Sequence, residues 1–597
     1  MSDAAAVTRR ALIVAWPGAD RAVLGPMIEA GLLPNLSLLV DRGVSGALVP
    51  VPPPVPIASW GCMITGCWAH HHGVLHEKAI GPQGEVEWAS LASLREPAIW
   101  ETVRAAGASA SQIGWESESP DASGADSAEV AAALRTMVAD PDEARSLQPE
   151  WMQRLREAVA DSLRSARDAI EALPSHALVA VRFRGLGVLA RDFARFDPPA
   201  PGWVVPERAR LFAQVFRHTW RLHDELLGAL VAAAGSDCVV TLASESGLDL
   251  AALRAAPDAE HGRGLRPGLL LMAGPGIRGD ALMHGATVPA TCATLLAAMG
   301  LPTDHCDIGP VAGVMTEAAP SSSMRGQARP PSDVLTGLSA DLSSPEVRGV
   351  MQDRARNLAR SWMLQGAWRQ AMLALEEAGG ELDAEHLELR VRCRLAQRQI
   401  PEARREIDQW HALEPQPSAR LDSLEASMRL LEERPEGAHQ RIREAIARHG
   451  ESAELLVDLA EVLLRLKREP EATAICLRAI ERDAGTQAAH AMLTRCHHEA
   501  ARFDDAAESA RSALALRFMD PEMHFLRGTA LAAAGRPHEA VESLFEAVRQ
   551  RPDFPAAYRR LAAVHLRQLG NHGAAEGFME AARQAEVRLR ERSVRAQ

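Results

Sequence analysis

The sequence predicts two domains of different class: an α/β domain over residues 1–315, with a mainly parallel sheet and helices on both faces, and an all-α repeat array over 345–597. Three observations predict this. From Ala11 to about Val314, short apolar runs bounded by Gly, Pro or Ser alternate with helical stretches. Residues 316–344, "TEAAPSSSMRGQARPPSDVLTGLSADLSS", are rich in Ser, Pro and Ala with little periodicity and read as a linker. Beyond them, small residues recur at a fixed step.

In the first domain the expected strands are "ALIVA" (11–15), "SASQIGW" (109–115), "HALVAVRF" (176–183), "DCVVTLA" (237–243) and "GLLLMAG" (268–274). Each is brief and bounded by Gly, Pro or Ser, the pattern of buried strands in a mainly parallel sheet. In the second domain small residues fall at Ala426, Ala460, Thr494, Gly528 and Ala562. Two parallel series follow, Ala438, Ala472, Ala506, Ala540, Ala574 and Ala445, Ala479, Ala513, Ala547, Ala581. A constant step lets each helix pair meet the next in the same geometry. Five units run in register from 419, and two looser ones precede them near 365–379 and 392–415, making about seven helix pairs.

Composition narrows the function. The chain has 597 residues, beyond the size at which one core stops growing, with 47% apolar and 24% charged residues. The net charge of −13 is spread along the chain without a run of Lys and Arg, which argues against nucleic acid as a partner. No stretch approaches the roughly 20 apolar residues of a membrane span, and the apolar run at 11–15 is too short for a signal peptide. Eight scattered Cys without a CxxC pair suit reduced thiols, so the expected location is cytoplasmic.

The unit "PEMHFLRGTALAAAGRPHEAVESLFEAVRQRPDF" (521–554) resembles the tetratricopeptide repeat, with Gly528, Gly535, Ala540, Ala547 and Pro552 at that family's signature positions. The resemblance implies a solenoid whose first helices face a groove for a protein or peptide partner. By that pattern Glu454, Val457, Glu461, Arg495, His498, Phe525, Thr529, Arg559 and Ala563 face the groove. The alternative is an array that only packs on itself or on the first domain.

In the first half, "ALIVAWPGADRAVLGPMIEAGLLPNLSLLVDRGVSGAL" (11–48), Ser59-Trp60, "MITG" (63–66), "HHG" (71–73), "LLLMAGPGI" (269–277) and "ATVPATCATLLAAMGLPTDHCDIGPV" (287–312) occur in an order that resembles the alkaline phosphatase superfamily. The branch is the type I phosphodiesterases and nucleotide pyrophosphatases. That resemblance implies two divalent cations, usually zinc, held by Asp and His, with a Thr or Ser nucleophile between them. Carboxylates and imidazoles ligate the metals, which activate the hydroxyl and neutralise developing charge.

Taken position by position, the expected set is largely replaced. The first Asp is replaced by Trp16-Pro17-Gly18, with Asp20 either a displaced ligand or part of the following turn or helix start. Pro56, beside Val55, stands where the nucleophile belongs, and Ser59 would reach the site only if the loop were re-threaded. The Asp and His four apart become Leu186 or Gly187 and Ala190 or Arg191, near Asp192. Ser-Asp-His-Gly becomes Ser244-Glu245-Ser246-Gly247, and the last His becomes Gly264 or Leu265, with His261 a few residues early. His70, His71, His72 and His76 read as turn or surface histidines, or as a metal site if His72 and His76 share a helix; Cys62 and Cys67 read as small buried hydrophobes.

Two functions follow as expectations. The first is a non-catalytic phosphodiesterase-like domain without metal cofactor, coupled to a repeat array that serves as an interaction scaffold or regulator. The second is an active phosphohydrolase, phosphodiesterase or sulfatase-like enzyme with zinc or manganese in a rearranged site of Asp20, Ser59, Glu245 and His261.

Overall fold

The structure, a computed structural model, describes residues 7–596 apart from 82–84, 116–122, 256–265, 284, 312, 317–343, 378–381, 415 and 518–519. The linker expected at 316–344 thus lies almost wholly outside the described residues. The chain divides into two compact units, 1–380 and 381–597.

Among the described residues of the first unit there are nine strands: β1 (Arg10–Ala15), β2 (Val44–Leu48), β3 (Lys78–Ile80), β4 (Val86–Trp88), β5 (Ala110–Ile113), β6 (Leu178–Arg182), β7 (Cys238–Ala243), β8 (Gly268–Ala273) and β9 (Ala281–Leu282). Seven make one sheet in the order β5-β6-β1-β7-β8-β2-β9, and β3 and β4 make a hairpin. β5, β6, β1 and β7 run parallel, while β8 is antiparallel to both β7 and β2. Every residue of β6 and β7 is buried, which is why these strands read as unbroken apolar runs. The five strands expected from sequence are all present.

On one face of the sheet, Leu12, Val14, Val179 and Val181 join Ala166, Ala169, Phe216, Trp220 and Leu227 of the helices Pro149–Ala172 and Val215–Ala234. Their burial, at about 25 cal/mol per Å² of apolar surface, is the main stabilisation of the domain. The motif "LLPNL" owes its form to this face. Pro34 opens the helix Pro34–Arg42 without a side-chain cap from Leu33, and Asp224 of the helix Val215–Ala234 supplies one from afar. It accepts from the Asn35 amide N–H at 3.1 Å, the Asn35 side chain at 3.0 Å and the Leu36 N–H at 2.7 Å.

The helix Pro345–Leu364, expected at the start of the repeats, is bound instead to the α/β domain. Val347 and Val350 pack on Ile80 of the hairpin, the Asn357 side chain donates to the Leu75 carbonyl at 2.7 Å, and Lys78 pairs with Glu346 at 2.9 Å. His70 Nδ1 lies 2.9 Å from Ser361 Oγ, and its ring stacks on Trp362 with centroids 4.1 Å apart. The helix is held by both apolar burial and specific polar contacts, and this explains why the compact units part after Gly380.

Among its described residues the regular elements of the second unit are helices, in successive pairs from Ala384–Ala396 and Ile400–Leu413 to Pro555–Arg567 and His572–Ala596. Ala438, Ala472, Ala506, Ala540 and Ala445, Ala479, Ala513, Ala547 are all 0% exposed, so the small-residue series marks where helices touch. Ala574 and Ala581, on the helix His572–Ala596, are half-buried, and Ala575 and Ala582 are buried in their place: the turn before this helix lies 35 residues after Gly535, at Gly570, so the 34-residue series slips by one here.

Candidate functional site

The carboxyl ends of β1, β6 and β7 lie side by side, with Ala15 in register with both Arg182 and Ala243. Strand ends of an open α/β sheet leave a crevice there, and the residues that follow each strand line it. Two of the sequence-predicted residues meet at this place. Asp20 caps the helix Arg21–Glu29, accepting from the Val23 N–H at 2.7 Å, and its other oxygen accepts from the Leu248 N–H at 3.0 Å, just beyond Glu245. Gly247 permits the approach, since a Cβ there would sit 2.4 Å from Asp20 Oδ2 and 2.6 Å from the Pro267 carbonyl oxygen. Burial pushes the Asp20 carboxyl above its ordinary range, against backbone hydrogen bonds and the Arg266 charge, which pull it down.

Glu245 is buried at the end of β7, with Ser246 Oγ 3.4 Å from its Oε1, and the Ser244 hydroxyl donates to the Ser246 carbonyl at 2.7 Å. His261, Gly264 and Leu265 lie outside the described residues. Trp16, the residue after β1, is a fully buried ring packed against Trp220 and His223 at 6.2 and 6.3 Å. Burial lowers the His223 pKa to about 4. Leu186 and Ala190, also 0% exposed, belong to the hydrophobic core beneath.

Pro56 stands exposed at the first turn of the helix Pro56–Thr65, where its missing N–H costs no hydrogen bond. Ser59, one turn further on, is buried, and its backbone N–H donates to the Val55 carbonyl at 3.0 Å. Among the described residues, the set of three or more His, Cys, Asp or Glu side chains within metal-binding reach of one another is Cys292, His305 and Cys306, and it includes neither Asp20 nor Glu245.

Arg182 is the residue of this crevice that sequence reasoning passed over. It is 4% exposed, at the end of a strand otherwise wholly apolar, and its guanidinium carbon lies 4.8 Å from the Trp60 ring centroid and 5.9 Å from that of Trp115. Trp115 in turn meets Trp60 and Trp100 at 5.4 Å and donates from its indole to the Ala180 carbonyl at 3.1 Å. The available signal was the charged residue closing "LVAVR", because a buried cation needs a built environment.

The histidine run corrects the sequence expectation. His70 is buried and His71 half-buried rather than solvated, His72 is buried in the His-Gly turn, and the helix Ala69–His72 ends before His76. His72 Nε2 lies 3.2 Å from Cys62 Sγ, His71 Nδ1 lies 2.7 Å from Asp307, and His76 Nε2 lies 3.4 Å from Asp353. Burial lowers His70 to about 2 and His72 to about 4. These side chains fix the turn and seat the helix Pro345–Leu364.

In the second unit, all nine predicted groove residues fall on the first helix of a pair: Ala453–Arg465, Gln487–Glu499, Pro521–Ala533 or Pro555–Arg567. None is fully buried. Glu461 and Arg495, 34 residues apart, pair across adjacent first helices at 3.6 Å, and Phe525 packs on Phe554 at 5.1 Å. Asp458, not anticipated, accepts from the Ser423 hydroxyl, and burial with Glu461 and Glu454 nearby raises it to about 6.

Among the described residues no single helix is long and apolar enough to cross a membrane. Among curated proteins none matches the chain. Similar solved structures include the crystal structure of MamA, at 15% identity over 28% of this chain and 96% of that one with a TM-score of 0.26. MamA 41-end from Desulfovibrio magneticus RS-1 matches at 17% identity, covering 28% and 94%, with a TM-score of 0.27. The APC/C hetero-tetramer Cut9-Hcn1 matches at 14%, covering 43% and 55%, with a TM-score of 0.31. Family profiles for the tetratricopeptide repeat match residues 429–496, 497–553 and 526–586, and that for type I phosphodiesterase / nucleotide pyrophosphatase matches 18–252. The chain therefore carries a type I phosphodiesterase / nucleotide pyrophosphatase domain followed by tetratricopeptide repeats.

Proposed function

We propose that the phosphodiesterase-like domain is non-catalytic and that the protein acts as an interaction scaffold or regulator, holding a protein or peptide partner in the groove of its repeats. The carrying observation is the way Asp20 is used. Both of its oxygens accept backbone N–H groups, one to start a helix and one to hold the 244–248 loop, so the carboxylate serves as a structural bracket at the strand ends. The residues around it do not fit a pair of divalent cations. Trp16 belongs to the core, Pro56 has no hydroxyl, and Arg182 brings a positive charge to the crevice.

The groove supports the second half of the reading. Its first helices present Glu454 and Glu461 beside Arg495, then Phe525 and Arg559, a mixture suited to a peptide with both charged and apolar side chains. A cytoplasmic setting agrees with the eight cysteines being free thiols.

The test is turnover and metal content measured together. Wild-type protein and the Glu245→Ala variant are offered a panel of chromogenic phosphate monoesters, diesters and sulfate esters with zinc, manganese or magnesium supplied. The expected result is no turnover by either protein and identical metal content. Turnover by the wild type that Glu245→Ala abolishes, with loss of bound metal, would overturn the reading.

A further inference from the structure

At the opposite end of the helix Pro56–Thr65, about 15 Å from Pro56 by helix rise, three segments distant in sequence bring thiols and an imidazole together. Cys292 is on the helix Ala290–Ala298, His305 and Cys306 lie in the loop after it, and Cys67 follows the helix Pro56–Thr65. One ligand atom from each of Cys292, His305 and Cys306 lies within 4.8 Å of the other two. Cys306 Sγ is 3.7 Å from His305 Nε2 and contacts the Thr65 carbonyl at 3.9 Å, the same carbonyl that Cys67 Sγ approaches at 3.6 Å. Cys67 Sγ is also 3.3 Å from the His305 carbonyl, and Cys292 donates to the Ile64 carbonyl at 3.5 Å. Gly66 makes room for the cluster, since a Cβ there would stand 2.5 Å from Cys306 Sγ.

We infer that Cys292, His305 and Cys306 form a structural site for a thiolate-binding metal ion of the zinc class, with Cys67, whose Sγ approaches the Thr65 carbonyl that Cys306 also contacts, the nearby thiol that would turn in to complete it. A tetrahedral ion with Zn–S near 2.3 Å and Zn–N near 2.0 Å needs donors about 3.3–3.8 Å apart. Among Cys292, His305 and Cys306 the observed spread of up to 4.8 Å closes to that by movement of about 1 Å in their side chains. Soft sulfur donors with one imidazole select zinc over magnesium, calcium or manganese. The three Cys are buried and His305 is half-buried, and donors of this kind are those of structural rather than catalytic zinc centres. Binding turns the thiols into thiolates, and their protons pass to solvent. Asp307 supports the loop from outside the donor set, accepting from the Trp68 N–H at 2.7 Å while its own N–H donates to the Gly66 carbonyl at 3.0 Å.

The site is independent of the strand-end crevice, so its test separates from that of the proposed function. Full-length protein is dialysed against zinc, then against buffer alone, and its metal content is measured. About one zinc per chain is expected in the wild type, in Glu245→Ala and in Cys238→Ser, and none in Cys292→Ser/Cys306→Ser. No retained zinc in the wild type, or zinc that survives the double substitution, overturns the inference. Should the double variant fail to fold, by its circular dichroism, the wild type loaded with Co(II) decides. Thiolate-to-cobalt charge-transfer absorption supports the site, and a spectrum lacking it overturns the site.

Discussion

The turns between the two helices of successive repeats offer a sharp test of how this array is held. Arg398, Glu433, Lys467, Ala501 and Gly535 occupy equivalent positions and all have left-handed backbone, with φ of 56°, 60°, 60°, 56° and 77°. Only the last is glycine. A side chain bearing Cβ pays roughly 1–2 kcal/mol there, while glycine in the unfolded chain loses about 0.5–1 kcal/mol more entropy on folding. Ala501 is exposed and has only a methyl group to lose, and a Cβ added at Gly535 would meet nothing within 4 Å. The two sites therefore report backbone conformation with little packing. Ala501→Gly is expected to stabilise its pair by about 0.5–1 kcal/mol, and Gly535→Ala to destabilise its own by the same. Hydrogen exchange followed by mass spectrometry in the full chain reads the difference locally. Amides of the helices Gln487–Glu499 and Phe503–Leu516 should exchange about 2–5-fold more slowly in Ala501→Gly, and those flanking residue 535 should exchange faster in Gly535→Ala. Equal signs for the two substitutions, or no change in either, would refute the assignment of strain to these turns.

Gly528→Ala places a Cβ 2.6 Å from Leu544 Cγ and 3.0 Å from the Ala540 carbonyl, and overpacking of that kind costs about 1–3 kcal/mol, read as a lowered midpoint in urea. Trp362→Ala, at a side chain 5% exposed and stacked on His70, should remove about 3–5 kcal/mol of docking energy. Limited proteolysis should then cut within the helix Pro345–Leu364 early, where the wild type resists. Stability should fall with acidification below pH 6.5. His72 and His223 titrate near 4 in the fold but near 6.5 when unfolded, so the unfolded chain binds more protons between those values. Each contributes a slope of up to about 1.4 kcal/mol per pH unit, complete by about pH 4. His72→Gln should flatten that part of the profile in thermal melts. Asp20, whose carboxyl is raised by burial, acts in the opposite sense nearer the carboxylate range.

Much of the architecture was legible because burial writes itself into composition. β6 and β7 are buried along their whole length, and the 34-residue step survives because every helix pair needs small residues at its crossing. β2 was not legible: "VSGAL" is short, half-buried and interrupted by Gly46, which is small because a Cβ would lie 2.2 Å from the Met283 carbonyl oxygen. At the crevice, the place of Asp20 at a helix start was legible from its position before "RAVL", while its hydrogen bond to the loop after Glu245 joins residues 228 positions apart. The stacking of Arg182 on Trp60 was not legible, since it joins residues more than a hundred positions apart with no periodic signal. The approach of Cys67 to the Cys292–Cys306 pair escaped for the same reason. Spacing along the chain says nothing of thiols brought together by tertiary packing from positions 67, 292 and 306.

The seating of the helix Pro345–Leu364 on the histidine turn bears on how the protein can be dissected. A fragment ending at the Ser- and Pro-rich segment would bare Ile80 and leave His70 without Ser361 and Trp362, while its counterpart would carry a helix stripped of its apolar bed. Either piece would expose adhesive surface and report spurious binding. Fragments severed after Gly380 keep both faces covered, so partner capture by each half can then be credited to the native surface of that half.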